Sequence, residues 1–120
     1  MTKKYGVLGI GNAMVDILIR SDDSFLAHHN IKKGVMQLVT LERSRALYNK
    51  FGTESEVSGG SGANTIYGLA ALGNSTCYIG KVKNDFLGNR FKTDLQKRNI
   101  EYTTKFVNKN SSAETGRCVI

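Results

Sequence analysis

The chain has 120 residues, a length that suits one small domain with a single core. Hydrophobic residues make up 40% and charged residues 22%, close to globular averages, which argues against disorder; no apolar run approaches the roughly 18 residues of a membrane span. The net charge of +7 is uneven, +2 over residues 1–80 and +5 over 81–120, yet Lys92, Lys97 and Arg98 fall on the polar side of a helical pattern without RNA-binding aromatics, so we expect a solvated face and no nucleic-acid partner.

The N-terminal "MTKKYGVLGIG" lacks the uninterrupted apolar segment of a secretory signal, which points to a cytoplasmic protein with no membrane partner. Residues 5–11 read as a short buried strand ended by glycine. Residues 16–20 and 35–40 are predicted as further strands, with "SDDS" between them as a turn or helix start. His28 and His29 lie in that polar stretch and are expected to be solvated. A helix over "LERSRALYNKFG" follows, with Thr40 as N-cap, Glu42 in its first turn and Gly52 as its stop. "ESEVS" is a weak strand leading into the glycine cluster "SGGSG". From Ser61 the pattern is helical, with Ile66, Leu69, Ala70 and Gly73 on one face and Gly73 just past the helix end.

Residues 76–82 then read as a buried strand. A helix over 84–99 follows, capped by Asn84 or Asp85, with Leu87, Phe91 and Leu95 on one stripe. Residues 102–107 and 116–120 complete the strands. Cys77 and Cys118 offer neither a zinc spacing nor a disulfide framework and read as reduced core thiols, with no metal site. The alternation in the second half is that of an α/β sheet with crossover helices. The first half holds too many elements for one crossover, which predicts a separate small sheet attached to the α/β core.

The glycines do not spell a nucleotide loop. No lysine follows Gly60 as G-x-x-x-x-G-K-[ST] requires. The dinucleotide fingerprint is half present at Gly9 and Gly11, but Met14 stands at its third position. Asn12 and Asp16 lie just beyond the first strand, where open α/β sheets bind ligands. Gly59 and Gly60 enter a helix with Asn64 near its start. A carboxylate and an amide beside glycine-freed N–H groups suit a polyol. Each also has a purely structural use: Asp16 capping a turn, Asn64 satisfying the helix start, Gly60 permitting a positive φ.

"GGSGANTIYGLAALGNSTCYIGKVKNDFLG" closely resembles the first signature motif of the PfkB family, the ribokinase-like sugar and nucleoside kinases. Asp85 and Gly88 stand for its "D-x-x-G" element. "GIGNAMVD" resembles the family's first strand and substrate aspartate, and "ETGRCVI" its later Thr-Gly and strand. The resemblance implies a Rossmann-type three-layer α/β core with a small β-sheet lid. Residues about 12–58 would form the lid and its flank, and about 59–120 core units with a possible lid strand. It implies ATP-dependent phosphorylation of a hydroxymethyl group on a sugar or nucleoside, with ATP and Mg2+ as cofactors held mainly by parts of the family's fold absent here.

By the same resemblance Asp16, Gly60 and Asn64 would hold ribose hydroxyls, and Asn12, Met14 and Gln37 would line the base side. Gly59 and Gly60 would form the lid hinge, and a homodimer could form through the lid. The long segment between Asp16 and Gly59 looks more like the adenosine-kinase branch than compact ribokinase, with a sugar kinase of the ribokinase or fructokinase type as the alternative. The family's second motif, D-T-x-G-A-G-D, is absent, so no residue here matches the catalytic base. The expectation is an N-terminal portion of a kinase of about 300 residues, inactive by itself. A non-catalytic ligand-binding module and a nucleic-acid-binding domain are the rival classes.

Overall fold

Two three-stranded sheets share one apolar core in the computed structural model, which describes residues 2–50 and 54–120. Val7–Ile10 forms β1, and three residues later the chain enters β2 (Met14–Leu18). Two helices follow, α1 (Asp23–His28) and α2 (Leu41–Lys50), then β3 (Ser55–Gly59) and α3 (Ser61–Ala71). The second half runs β4 (Thr76–Ile79), α4 (Phe86–Lys97), β5 (Ile100–Glu101) and β6 (Gly116–Val119). The first sheet is parallel, in the order β1-β4-β5. The second has β2 at its centre, antiparallel to β3 and parallel to β6.

Strand alternation decides what each face of the second sheet does. Val15 and Ile17 are completely buried among Val82, Leu87, Phe91 and Leu95, so one face of β2 belongs to the core. Successive side chains point to opposite faces. Met14, Asp16 and Leu18 therefore occupy the other face, as the register partners of Gly59, Val57 and Ser55. In the first sheet, Tyr78 packs against Phe91 with ring centres 5.9 Å apart, and its neighbourhood fills the helix-covered face. The opposite face is largely open, with Leu8 51% and Ile10 74% exposed. Parallel sheets are normally covered on both sides.

Most elements lie where the sequence puts them, with shorter ends. "SDDS" starts α1, where the Asp22 carboxylate accepts from Phe25 N–H at 2.8 Å. Thr40 caps α2, its hydroxyl accepting from Arg43 N–H at 3.3 Å; the predicted stop at Gly52 lies outside the described residues. Gly73 follows the C-cap of α3, and Asn74 N–H closes back onto Leu69 O at 3.1 Å. His28 is exposed, while His29 is half-buried against Phe25.

The expectations for residues 35–40, residues 102–107 and Arg98 are corrected. Residues 35–40 are not a strand: among the described residues no partner strand meets them, Val35, Met36, Leu38 and Val39 are exposed, and a turn through Gly34 leads them into α2. Of residues 102–107 only Val107 bridges to Lys83; the strand forms earlier, at Ile100–Glu101, where β4 offers an edge. Arg98 is not simply solvated. Its guanidinium donates to Ser58 Oγ at 2.7 Å and stacks 4.2 Å from the Tyr67 ring centre.

The "DFLG" and "ETG" stretches meet in space. Asp85 caps α4 by accepting from Gly88 N–H at 2.8 Å, and also takes Thr115 N–H at 3.0 Å and the Thr115 hydroxyl at 2.7 Å. One carboxylate thus ties the start of α4 to the segment that enters β6. Burial alone would raise the Asp85 pKa, but the Thr115 and Gly88 hydrogen bonds and the nearby Lys83 charge outweigh it and hold it below its ordinary 3.8. A lowered folded-state pKa stabilises above the unfolded value and is lost as pH falls through the folded one. Asp85→Ala should therefore cost about 1–2 kcal/mol at neutral pH, the usual range for a lost cap. The difference from the parent should shrink below pH 3.8, and urea melts across that range would show it. A constant difference down to the lowest pH would remove the ionised carboxylate as the cause.

Candidate functional site

The chain passes between the two sheets twice within a small space. Gly11–Ala13 link β1 to β2, and Gly60 alone separates β3 from α3. Gly60 has φ +93, a backbone that side chains rarely adopt. A Cβ there would lie 2.7 Å from the Asn12 carbonyl oxygen and 3.4 Å from Met14 Cγ, so the two crossings touch. Lacking a side chain, Gly60 also leaves the N-terminus of α3 without a side-chain cap. The leading N–H groups of a helix carry no intrahelical partner and favour polar or anionic ligands.

Asp16 stands on the face of β2 turned away from the core, between Val57 and Cys118 in register. Its carboxyl group lies against the Cα of Gly59, filling the space that a Cβ would take. Among the described residues it has neither a hydrogen bond nor an ion pair. Burial raises its pKa above the ordinary 3.8. A partly desolvated carboxylate without donors is held at a cost, and hydroxyl groups of a ligand would supply those donors.

Asn12, Met14, Asp16, Gly59 and Gly60 are therefore brought together, and Asn64 sits one turn into α3, its N–H bonded to Gly60 O at 2.9 Å. Asn64 and Asn12 are exposed, so their amides are free to meet a ligand. Gln37 is placed differently: it is exposed, and its Oε1 accepts from Lys32 N–H at 2.7 Å within its own loop. Beside Asn12, a depression of about 360 Å³ opens at the ends of β1 and β4, bordered by Gly11, Gly80, Lys81 and Thr104. Sequence reasoning missed these border residues and the flanking Val57 and Cys118. Cys118 is half-buried beside Asp16 and not a core thiol, unlike Cys77, which is buried; strand alternation counted from Asp16 and its partners is the signal that finds it.

Among the described residues no group of three or more His, Cys, Asp or Glu side chains is placed to hold a metal ion. Nor is any described helix long and apolar enough to cross a membrane.

Comparison with solved structures places this arrangement among kinases. The adenosine kinase from Sinorhizobium meliloti is 43% identical, with a TM-score of 0.82, over 98% of this chain and 35% of its own. The probable sugar kinase protein from Rhizobium etli CFN 42 is 37% identical, with a TM-score of 0.75, over 91% of this chain and 37% of its own. Adenosine kinase from Schistosoma mansoni in complex with tubercidin shares the fold at 23% identity, with a TM-score of 0.77, over 97% of this chain and 35% of its own. The chain thus spans little more than a third of these relatives. No match was found among curated proteins. This likeness, together with a family match over residues 34–120, identifies the chain as belonging to the pfkB family of carbohydrate kinases.

Proposed function

We propose that this chain provides the acceptor-binding part of a kinase that phosphorylates a hydroxymethyl group, with adenosine as the favoured acceptor. The unpaired Asp16 carboxylate against Gly59 carries the reading, because it faces away from the core beside the uncapped start of α3. Asp16 would accept from acceptor hydroxyls, while the α3 N-terminus and Asn64 would donate to them. Asn12 and Met14 would border the base, joined by Gln37 if its loop packs over the site. The second sheet would be the lid and Gly59–Gly60 its hinge. In domain terms, residues 12–58 would make the lid and its flank, and 59–120 core units plus the lid strand β6.

ATP with Mg2+ would supply the transferable phosphoryl group, and no described residue is assigned to either. Nor does any of these residues serve as the general base, so the 120 residues alone are expected to transfer no phosphate. General-base help is typically worth roughly 10²–10⁴-fold, and preorganised electrostatics add to it.

Similarity to the Sinorhizobium meliloti adenosine kinase supports the nucleoside, and the Rhizobium etli protein supports a sugar as the second reading. Initial rates of the intact protein with Mg·ATP and adenosine, ribose or fructose separate them. Adenosine should give the highest kcat/KM. Turnover of ribose or fructose alone would select the sugar reading. Saturable binding without turnover of any acceptor would leave a non-catalytic module.

A further inference from the structure

β3 is an edge strand, paired with β2 on one side only. Edge strands expose backbone groups that must be covered or paired. Here the cover comes from one helix. The α4 residues Arg90, Asp94 and Arg98 stand four apart and share one side of it. Arg90 Nε donates to Glu56 O at 3.0 Å, Asp94 Oδ2 accepts from Ser58 N–H at 2.8 Å, and Arg98 donates to Ser58 Oγ at 2.7 Å. Asp94 is 8% exposed and lies 3.7 Å from Arg90 Nε. Arg90 and Asp94 thus meet the backbone of β3 as a neighbouring strand would, through alternate residues Glu56 and Ser58, while Arg98 holds the Ser58 side chain.

We infer that Asp94 is a positioning residue for the acceptor site, acting through Ser58 on Gly59 and hence on Asp16; this rests on the proposed role of Asp16. Ser58 immediately precedes Gly59, against whose Cα the Asp16 carboxyl rests. Fixing the Ser58 N–H fixes the end of β3, and with it the surface that orients the carboxylate. Asp94 is suited to this because it is buried and accepts a backbone donor that has no strand partner. Arg98 adds a second grip on the same residue and, through Tyr67, links it to α3. Misplacement of a reacting or binding group by about 1 Å can cost roughly 10²-fold.

The test uses the intact protein with adenosine and Mg·ATP. Asp94→Ala should raise the acceptor KM about tenfold while the KM for ATP stays within twofold. Asp94→Asn keeps an acceptor oxygen for Ser58 N–H and should return the acceptor KM to within threefold of the parent. A purely structural Asp94 would lower Tm without this split, or raise both KM values together, and either result overturns the inference. If Asp94→Ala does not fold, Arg98→Met carries the test: a threefold or larger rise confined to the acceptor KM supports it, and no rise overturns it. Asp16→Ala is run alongside. An effect of Asp16→Ala with silent Asp94 and Arg98 variants overturns only the positioning role, whereas a silent Asp16→Ala overturns the site itself.

Discussion

Asp16→Ala in the intact protein is expected to reduce kcat/KM for the acceptor by roughly 10–150-fold, the equivalent of about 1.5–3 kcal/mol for a hydrogen bond to a charged group. No described neighbour replaces its two acceptor oxygens. The pH profile gives a second readout. Burial raises the Asp16 pKa above 3.8, so acceptor binding should fall away as pH is lowered, beginning at a higher pH than an unburied carboxylate would give, and Asp16→Asn should abolish that limb. Stability should move the opposite way. A carboxyl with a raised folded-state pKa favours the fold below its unfolded pKa and loses that advantage as pH rises through the folded value. Asp16→Asn should consequently melt higher than the parent at neutral pH while working far less well. Unchanged kinetics on every nucleoside and sugar would take Asp16 out of the site.

Gly60→Val should be the most damaging change at the junction. A β-branched residue at φ +93 is strained, and its Cβ would press on the Asn12 carbonyl 2.7 Å away. Backbone strain and overpacking together amount to about 2–6 kcal/mol. The two crossings between the sheets would be forced apart, and Asp16 would lose its fixed relation to α3. Far-UV circular dichroism at low temperature should still report the helices, while acceptor turnover falls by more than tenfold. A variant with parental acceptor kinetics would show that the junction has no part in binding; one without helical signal would mark Gly60 as purely structural.

How far the sequence revealed this site follows from the range of each signal. Gly60 was legible because a glycine pair running straight into a helical pattern has few backbone solutions. Asp85 was legible as a cap because it sits one residue before α4. The failure at residues 35–40 shows the limit. "VMQLVT" has the composition of a strand, but strands need partners, and partnership is decided by β2, β3 and β6 elsewhere in the chain. Asp94 and Arg98 were invisible for the same reason. On a helical wheel they are merely the polar stripe beside Leu87, Phe91 and Leu95, and only the docking of β3 turns them into partners of Ser58. Cys118 looked like a core thiol from its apolar neighbours, whereas its register opposite Asp16 puts it on the site face.

The order of strands also sets a timetable. Val7 pairs with Thr76, so β1 leaves the ribosome and waits through the synthesis of 69 further residues before its partner exists. At 5–20 residues per second that is roughly 3–14 s. Meanwhile β2 and β3 can already join each other, and α3 can settle on one face of β1 once it is made, but the backbone of the apolar "VLGI" segment has no strand edge to meet. Nascent chains of this protein therefore pass through an interval in which β1 is a natural client for a chaperone, and that interval closes only when β4 arrives.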